Sequence, residues 1–204
     1  MGYPRGSMGY DAIVLASASK RRSQLLRQIG VRHRVVDADI DETPLPGERP
    51  LDYVQRIAAG KAQAVVARQG GRPETPVLAA DTTVVLGDRM FGKPADEAEC
   101  LEMLGALAGQ THAVLTAVAL WHDGGLHRAL DSSYVTFRAI DPHELCRYWA
   151  SGEPAGKAGG YAIQGLGAVF VARLEGSFSG VMGLPLFETA ALLDAAGVRR
   201  WRAA

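Results

Sequence analysis

The chain has 204 residues, with 22 Lys and Arg against 22 Asp and Glu, and so carries no formal net charge. That balance excludes a protein that coats nucleic acid through a basic surface, so any anion site has to be local. Hydrophobic residues make up 48% and charged residues 22%, an ordinary globular balance, and no apolar run approaches the roughly 20 residues that cross a bilayer. We expect a loose extension over residues 1–9 and one domain over 10–204. Met1 to Met8 lack the apolar stretch of a signal peptide. Cys100 and Cys146 stand far apart and outside any CxxC, which reads as reduced thiols in a cytoplasmic protein.

In chain order, Ala12 to Leu15 reads as a short apolar strand. It turns through Ser17 and Ser19 into a helix whose inward face is Leu25, Leu26 and Ile29. Lys20, Arg21 and Arg22 occupy that helix's first turn, where the macrodipole is already positive and acidic residues are favoured. Two readings stand. One is a solvated basic helix end with Ser19 as its N-cap; the other is a phosphate cradle of free N–H groups, hydroxyls and cations. A second strand covers Arg32 to Val36. The segment from Asp37 to Glu42 then holds four carboxylates in six positions, either solvated or compensated by a basic group or a hard divalent cation.

A helix is predicted over Leu51 to Arg68, with Leu51, Val54, Ile57, Ala58, Ala62 and Val65 on its buried face. Lys61 falls within that apolar stripe, so it must snorkel or meet an anion. Pro76 to Leu86 is the strongest strand signal, interrupted by Asp81, a carboxylate that has to be paired, bind a metal or reach a cleft. Gly87-Asp88 turns into Met90-Phe91, and Lys93 lies on the following loop. A helix over Asp96 to Leu107 comes next. Thr111 to Trp121 and Leu126 to Ala139 read as two long strands, joined by a hairpin signal in His122-Asp123-Gly124-Gly125. Asp141-Pro142-His143-Glu144 starts a helix. The histidines 112, 122, 127 and 143 show no metal-ligand spacing and read as structural or surface residues. Residues 151–160 form a Gly-rich loop with Glu153 and Lys157, leading to Gln164, whose amide both donates and accepts. A strand over Ala168 to Leu174, a turn at Glu175-Gly176-Ser177 and a helix opened by Gly183-Leu184-Pro185-Leu186 complete the chain.

Five motifs carry a resemblance. Leu15-Ala16-Ser17-x-Ser19-x-Arg21-Arg22-x-x-Leu25-Leu26, Val54-x-Arg56-Ile57-Ala58-x-x-Lys61-Ala62, Ala80-Asp81-Thr82, Gly92-Lys93-Pro94 and Tyr161-Ala162-Ile163-Gln164-Gly165 together resemble the Maf-type nucleoside triphosphate pyrophosphatases. They stand in family order and span the chain from about Ala12 to Leu193. The resemblance implies an α/β fold of inosine triphosphatase-like type: a long, curved mixed sheet flanked by helices, with two lobes and a central cleft. It implies hydrolysis of a nucleoside triphosphate to monophosphate and diphosphate, a divalent cation (Mg²⁺, Mn²⁺ or Co²⁺) and a homodimer, with neither nucleic acid nor membrane as partner. Arg21, Thr82 and Gln164 match the positions that separate subgroups, in the combination of the dTTP/UTP enzymes. The 7-methyl-GTP subgroup tends to carry Trp, Gln and Glu there. Lys20 departs from the family's usual Pro, which would pre-set the first helical turn.

On this reading Ser17, Arg21, Arg22, Lys61 and Lys93 hold the triphosphate, and Glu42 and Asp81 hold the metal. Asp81, Lys61 and Glu42 form the catalytic set, with Asp81 as general base. Thr82 and Gln164 read a pyrimidine's 4-oxo and N3–H edge. Modified pyrimidine nucleotides are included as substrates. The alternatives are a nucleotide-binding regulator of cell division and septum formation, and a 7-methyl-GTP pyrophosphatase.

Overall fold

A computed structural model of the chain describes residues 9–71 and 73–201. The first helix begins where a side chain can stop it fraying. Ser19 sits in extended backbone and its hydroxyl accepts from the Arg22 N–H at 3.5 Å, so α1 (Lys20–Gln28) starts without the usual proline. It follows β1 (Ile13–Ala16) and precedes β2 (His33–Val36). Pro50 opens α2 (Pro50–Arg68), where a missing N–H costs nothing. Then come β3 (Val77–Leu86), β4 (Arg89–Phe91) and α3 (Glu97–Leu107), the last capped by Asp96, which accepts from the Glu99 N–H. Strands β5 (Thr111–His122) and β6 (Gly125–Phe137) form the hairpin expected from the sequence. Its two-residue turn, Asp123-Gly124, has positive φ at both positions, the form whose twist matches a hairpin. Helix α4 (Pro142–Ala150) begins at Asp141, which accepts from the His143 N–H.

Two departures from the predicted elements occur in the last third. Residues 168–170 are not strand: Leu166–Phe170 forms a 3₁₀ segment, and β7 is confined to Val171–Glu175. Glycines at 165 and 167 shape that segment, and the Ala168 N–H bonds back to the Gly165 carbonyl. After Ser177 the chain does not simply turn but makes a short helix, α5 (Phe178–Met182), ended by Gly183 in the left-handed region at φ 118°. The final helix, α6, spans Leu186–Ala195.

The strands form one seven-stranded mixed sheet in the order β2-β1-β3-β5-β6-β7, with β4 paired to β3. β1 runs parallel to β2 and β3; the remaining pairs are antiparallel. Core packing follows the two-residue alternation of the long strands. Val77 and Ala79 of β3 pack under α2 with Val54, Ala58 and Val65. Leu78 and Ala80 face the other way, toward Leu25 and Leu26 of α1 and Leu193 of α6. Beyond the middle of the sheet a third cluster gathers Val84, Phe91, Leu104, Phe137, Tyr148 and Phe170 beneath α3 and α4. Strands β3, β5 and β6 contribute to more than one of these clusters.

One detail of pairing positions the site. β1 meets β3 only at Val14↔Val77 and Leu15↔Leu78, and β4 begins to cover the same edge only at Val84. Between them the edge of β3 from Ala79 to Thr83 has no neighbouring strand among the described residues, while its other edge pairs continuously with β5 from Val77 to Val85. Elsewhere Tyr10 meets the segment after α6: the Tyr10 N–H donates to the Gly197 carbonyl and the Arg199 N–H to the Tyr10 carbonyl. Residues 1–8 of the extension expected over 1–9 lie outside the described residues. Cys100 and Cys146 are both free. His112 is buried against Tyr161, and His122 stacks on His127.

Candidate active site

A cavity of about 780 Å³ opens at the uncovered stretch of β3. Its walls bring together Ser17 from the β1–α1 turn, Arg21 and Arg22 from the first turn of α1, Glu42 from the acidic loop, Lys61 from α2, Asp81 and Thr82 from β3, and Lys93. Eight of the nine residues singled out from sequence therefore share one cleft. The ninth, Gln164, is exposed and is not among the lining residues.

Adjacent residues of β3 serve opposite faces of the sheet. Asp81 points toward α2, where its Oδ1 accepts from Lys61 Nζ at 2.7 Å. Lys61 reaches Glu42 Oε1 at the same distance, so the lysine in the apolar stripe of α2 is matched by two carboxylates rather than snorkelling to solvent. Lys61 is 7% exposed and Asp81 5%. Glu42 is the more open partner. Burial works to raise its pKa, but the hydrogen bond and charge of Lys61, with help from Lys93 and Arg22, hold it below the usual 4.5. Lys93 Nζ lies 3.9 Å from Glu42 Oε2. Tyr53 lies two turns before Lys61 on the same helix and donates its hydroxyl to the Glu42 backbone carbonyl. Burial and the charges of Asp81 and Glu42 push its pKa up to about 12.

Thr82 points to the other face, toward α1. Its hydroxyl lies 3.2 Å from Arg22 Nη2 and 3.0 Å from Thr116 Oγ1. Arg22 further donates Nη1–H to Ser17 Oγ at 3.1 Å and Nε–H to the Gly183 carbonyl at 2.7 Å. These acceptors are all uncharged. Burial lowers the Arg22 pKa, Asp81 and Glu42 act to raise it, and Arg21 adds to the lowering. The basic first turn of α1 is thus not simply a solvated helix end. Ser19 does cap it, and Arg22 is nonetheless folded inward and buried. Lys20 remains exposed.

Two further residues of the cleft, Tyr53 and Lys157, carry chemistry that the sequence reading left out of the site. Lys157, on the Gly-rich loop, lines the cavity. Burial lowers its pKa, the nearby Arg21 adds to that, and Glu153 opposes it. Arg21 itself is lowered by burial against the fields of Tyr148 and Glu153. Glu153 anchors the loop: its carboxylate accepts from Tyr148 Oη and from the N–H groups of Leu166 and Gly167. A Cβ at Gly165 would lie 2.0 Å from that carboxylate, so a larger residue there would displace it. Both residues had a signal in the sequence. Tyr53, Ile57 and Lys61 recur every four residues, and Lys157 is a cation within a glycine-rich turn.

Among the described residues no group of three or more His, Cys, Asp or Glu could by itself hold a metal ion. Mg²⁺ is commonly held by one or two carboxylates completed by water and substrate phosphates. Glu42 and Asp81, each with one oxygen bound to Lys61, fit that donor set.

The family model described as Maf-like protein matches residues 12–196. The chain belongs to the Maf-like proteins. A protein of Cupriavidus pinatubonensis named dTTP/UTP pyrophosphatase is 53% identical to this Maf-like chain, over 93% of it and 99% of the relative. One of Nitrosomonas europaea with the same name is 52% identical over 92% and 96%. A third, from Cupriavidus metallidurans and also named dTTP/UTP pyrophosphatase, is 52% identical over 91% and 97%. The matched span includes every element of the Maf-like fold that builds the cleft, from β1 to α6.

Proposed function

We propose that the chain is a nucleoside triphosphate pyrophosphatase that hydrolyses dTTP and UTP, and modified pyrimidine nucleotides, to the monophosphate and diphosphate. The observation that carries this reading is the convergence of Arg21, Arg22, Lys61 and Lys93 on one cleft that also holds Asp81 and Glu42. The names of the relatives point the same way.

Phosphoryl transfer asks an enzyme mainly for positioning and charge stabilisation. Ser17, Arg21, Arg22 and Lys93 bind the triphosphate, and the cations stabilise the negative charge that builds on departing pyrophosphate. Asp81 orients the attacking water and accepts its proton at the carboxylate oxygen that Lys61 does not hold. Lys61 keeps the Asp81 and Glu42 carboxylates side by side. Glu42 and phosphate oxygens would hold a divalent cation, with Asp81 on water bound to it; the cation neutralises phosphate charge when bound. Arg21, Thr82 and Gln164 set the base preference. Gln164 would have to act from outside the present lining, and Thr82 through the partners its hydroxyl already has. The protein works on this reading as a cytoplasmic homodimer, which sedimentation analysis checks.

A nucleotide panel assayed with Mg²⁺ and with Mn²⁺, reading phosphate after added inorganic pyrophosphatase, tests the proposal. Release from dTTP and UTP above the purine nucleotides and above 7-methyl-GTP supports it. Tight nucleotide binding without release favours the regulator instead.

A further inference from the structure

We propose that Thr116, which does not line the cavity, is a positioning residue for polyphosphate binding, acting through Thr82 on the Arg22 guanidinium. The proposal rests on the pyrophosphatase reading only for the identity of the ligand; its structural basis is a count of protons.

Thr116 lies in the middle of β5, fully buried, opposite Thr82 on β3. Its Oγ1 is 2.8 Å from the Gly180 carbonyl. A carbonyl only accepts, so the single hydroxyl proton of Thr116 goes there. Toward Thr82, 3.0 Å away, Thr116 can then act only as acceptor, and Thr82 must donate. Arg22 Nη2 only donates, so Thr82 offers it a lone pair. The direction of every bond is fixed: Arg22 to Thr82, Thr82 to Thr116, Thr116 to the Gly180 carbonyl.

The chain closes on itself. The Gly183 N–H donates to that same Gly180 carbonyl at 2.8 Å, and the Gly183 carbonyl receives Arg22 Nε–H. A ring of hydrogen bonds therefore joins α1, β3, β5 and α5, with the guanidinium as its only charged member. Three of the five guanidinium N–H groups are committed to neutral oxygens, which leaves two for a ligand. Thr82 has no proton left to offer the cavity. Its influence on substrate runs through the orientation of Arg22, and Thr116 sets that orientation from behind.

The test uses Thr116→Val, Thr116→Ser and Thr82→Val in the full chain, with two readouts: kcat/KM for UTP, and the dissociation constant for pyrophosphate measured by calorimetry without turnover. Thr116→Val should weaken pyrophosphate binding and lower kcat/KM by about tenfold each, the upper end for losing one hydrogen bond between neutral groups. Thr116→Ser, which keeps the hydroxyl, should restore both to within about threefold. Thr82→Val cuts the same link from the cleft side and should reproduce the loss if Thr116→Val does not fold. In an Arg22→Lys background, Thr116→Val should have no further effect. Equal losses from Thr116→Val in parent and Arg22→Lys backgrounds, or unchanged pyrophosphate affinity in both valine variants, overturns the proposal. A parent that binds pyrophosphate but hydrolyses no nucleotide sinks the pyrophosphatase reading alone, and the binding readout still decides the role of Thr116.

Discussion

Lys61 and Arg22 are both buried cations that reach one cleft, from helices on opposite faces of the sheet, and they are held in opposite ways. Lys61 is clasped by two carboxylates at 2.7 Å each. Arg22 is held by a serine, a threonine and a backbone carbonyl. The first arrangement satisfies charge with charge; the second satisfies hydrogen-bond geometry and leaves the charge uncancelled. A cation matched by carboxylates serves best to hold those carboxylates in place. One fixed by neutral oxygens is available to an incoming anion. The proposed division of labour between water activation and phosphate binding would follow from which partners each helix meets.

The contrast can be broken at its strongest point first. Lys61→Met should leave the buried Asp81 and the half-open Glu42 facing each other without the cation that bridges them, and cost about 3–5 kcal/mol in urea denaturation, as loss of one partner from a buried ion pair does. Arg22→Met should cost clearly less, about 1–3 kcal/mol, because it strands only neutral acceptors. Equal losses would mean that the two cations are not held differently. Asp81→Asn should keep the fold, with unchanged circular dichroism, and lower turnover at least about 100-fold, the low end for a general base. Retained pyrophosphate release would remove Asp81 from the chemistry. Arg22→Met should instead weaken pyrophosphate binding about 10- to 100-fold by calorimetry, the scale of one to two charged hydrogen bonds, while Asp81→Asn leaves that binding within a few-fold.

The smallest effect concerns acid. Glu42 has a folded pKa below its ordinary 4.5. Its contribution is therefore fully present above pH 4.5 and lost as pH falls through the lowered value. Stability measured downward from pH 5.5 should fall more steeply in the parent than in Glu42→Gln. The difference should stay under about 1 kcal/mol because Glu42 is partly open to solvent. Parallel curves would show that Lys61 does not favour ionised Glu42.

The sequence disclosed those parts of the site that violate a local pattern. Lys61 interrupts an apolar stripe, Asp81 an apolar strand, and three cations occupy a helix end that prefers anions. Lys61, Asp81 and, of the three cations, Arg22 find partners in the structure. What stayed hidden obeys its local pattern. Thr116 is an ordinary β-branched strand residue, and its partners are 34 and 64 positions away. The short α5 has too few residues to show a helical period, and the strand expected from Ala168 gave way to 3₁₀ geometry between glycines. Gln164 fits a motif, but its exposure depends on a loop anchored by Glu153, a tertiary constraint that no spacing encodes.

The pairing of β3 with β5 over nine successive positions has a consequence for how the cleft could have arisen or could fail. Asp81 and Thr82 are neighbours in the chain and reach opposite sides only because the pleat alternates. A slip of a single position would turn the carboxylate toward the guanidinium and the hydroxyl toward the ammonium. The handedness of the chemistry is thus written in strand register as much as in residue identity, and a one-residue insertion or deletion in β3 would invert it with every catalytic side chain still present.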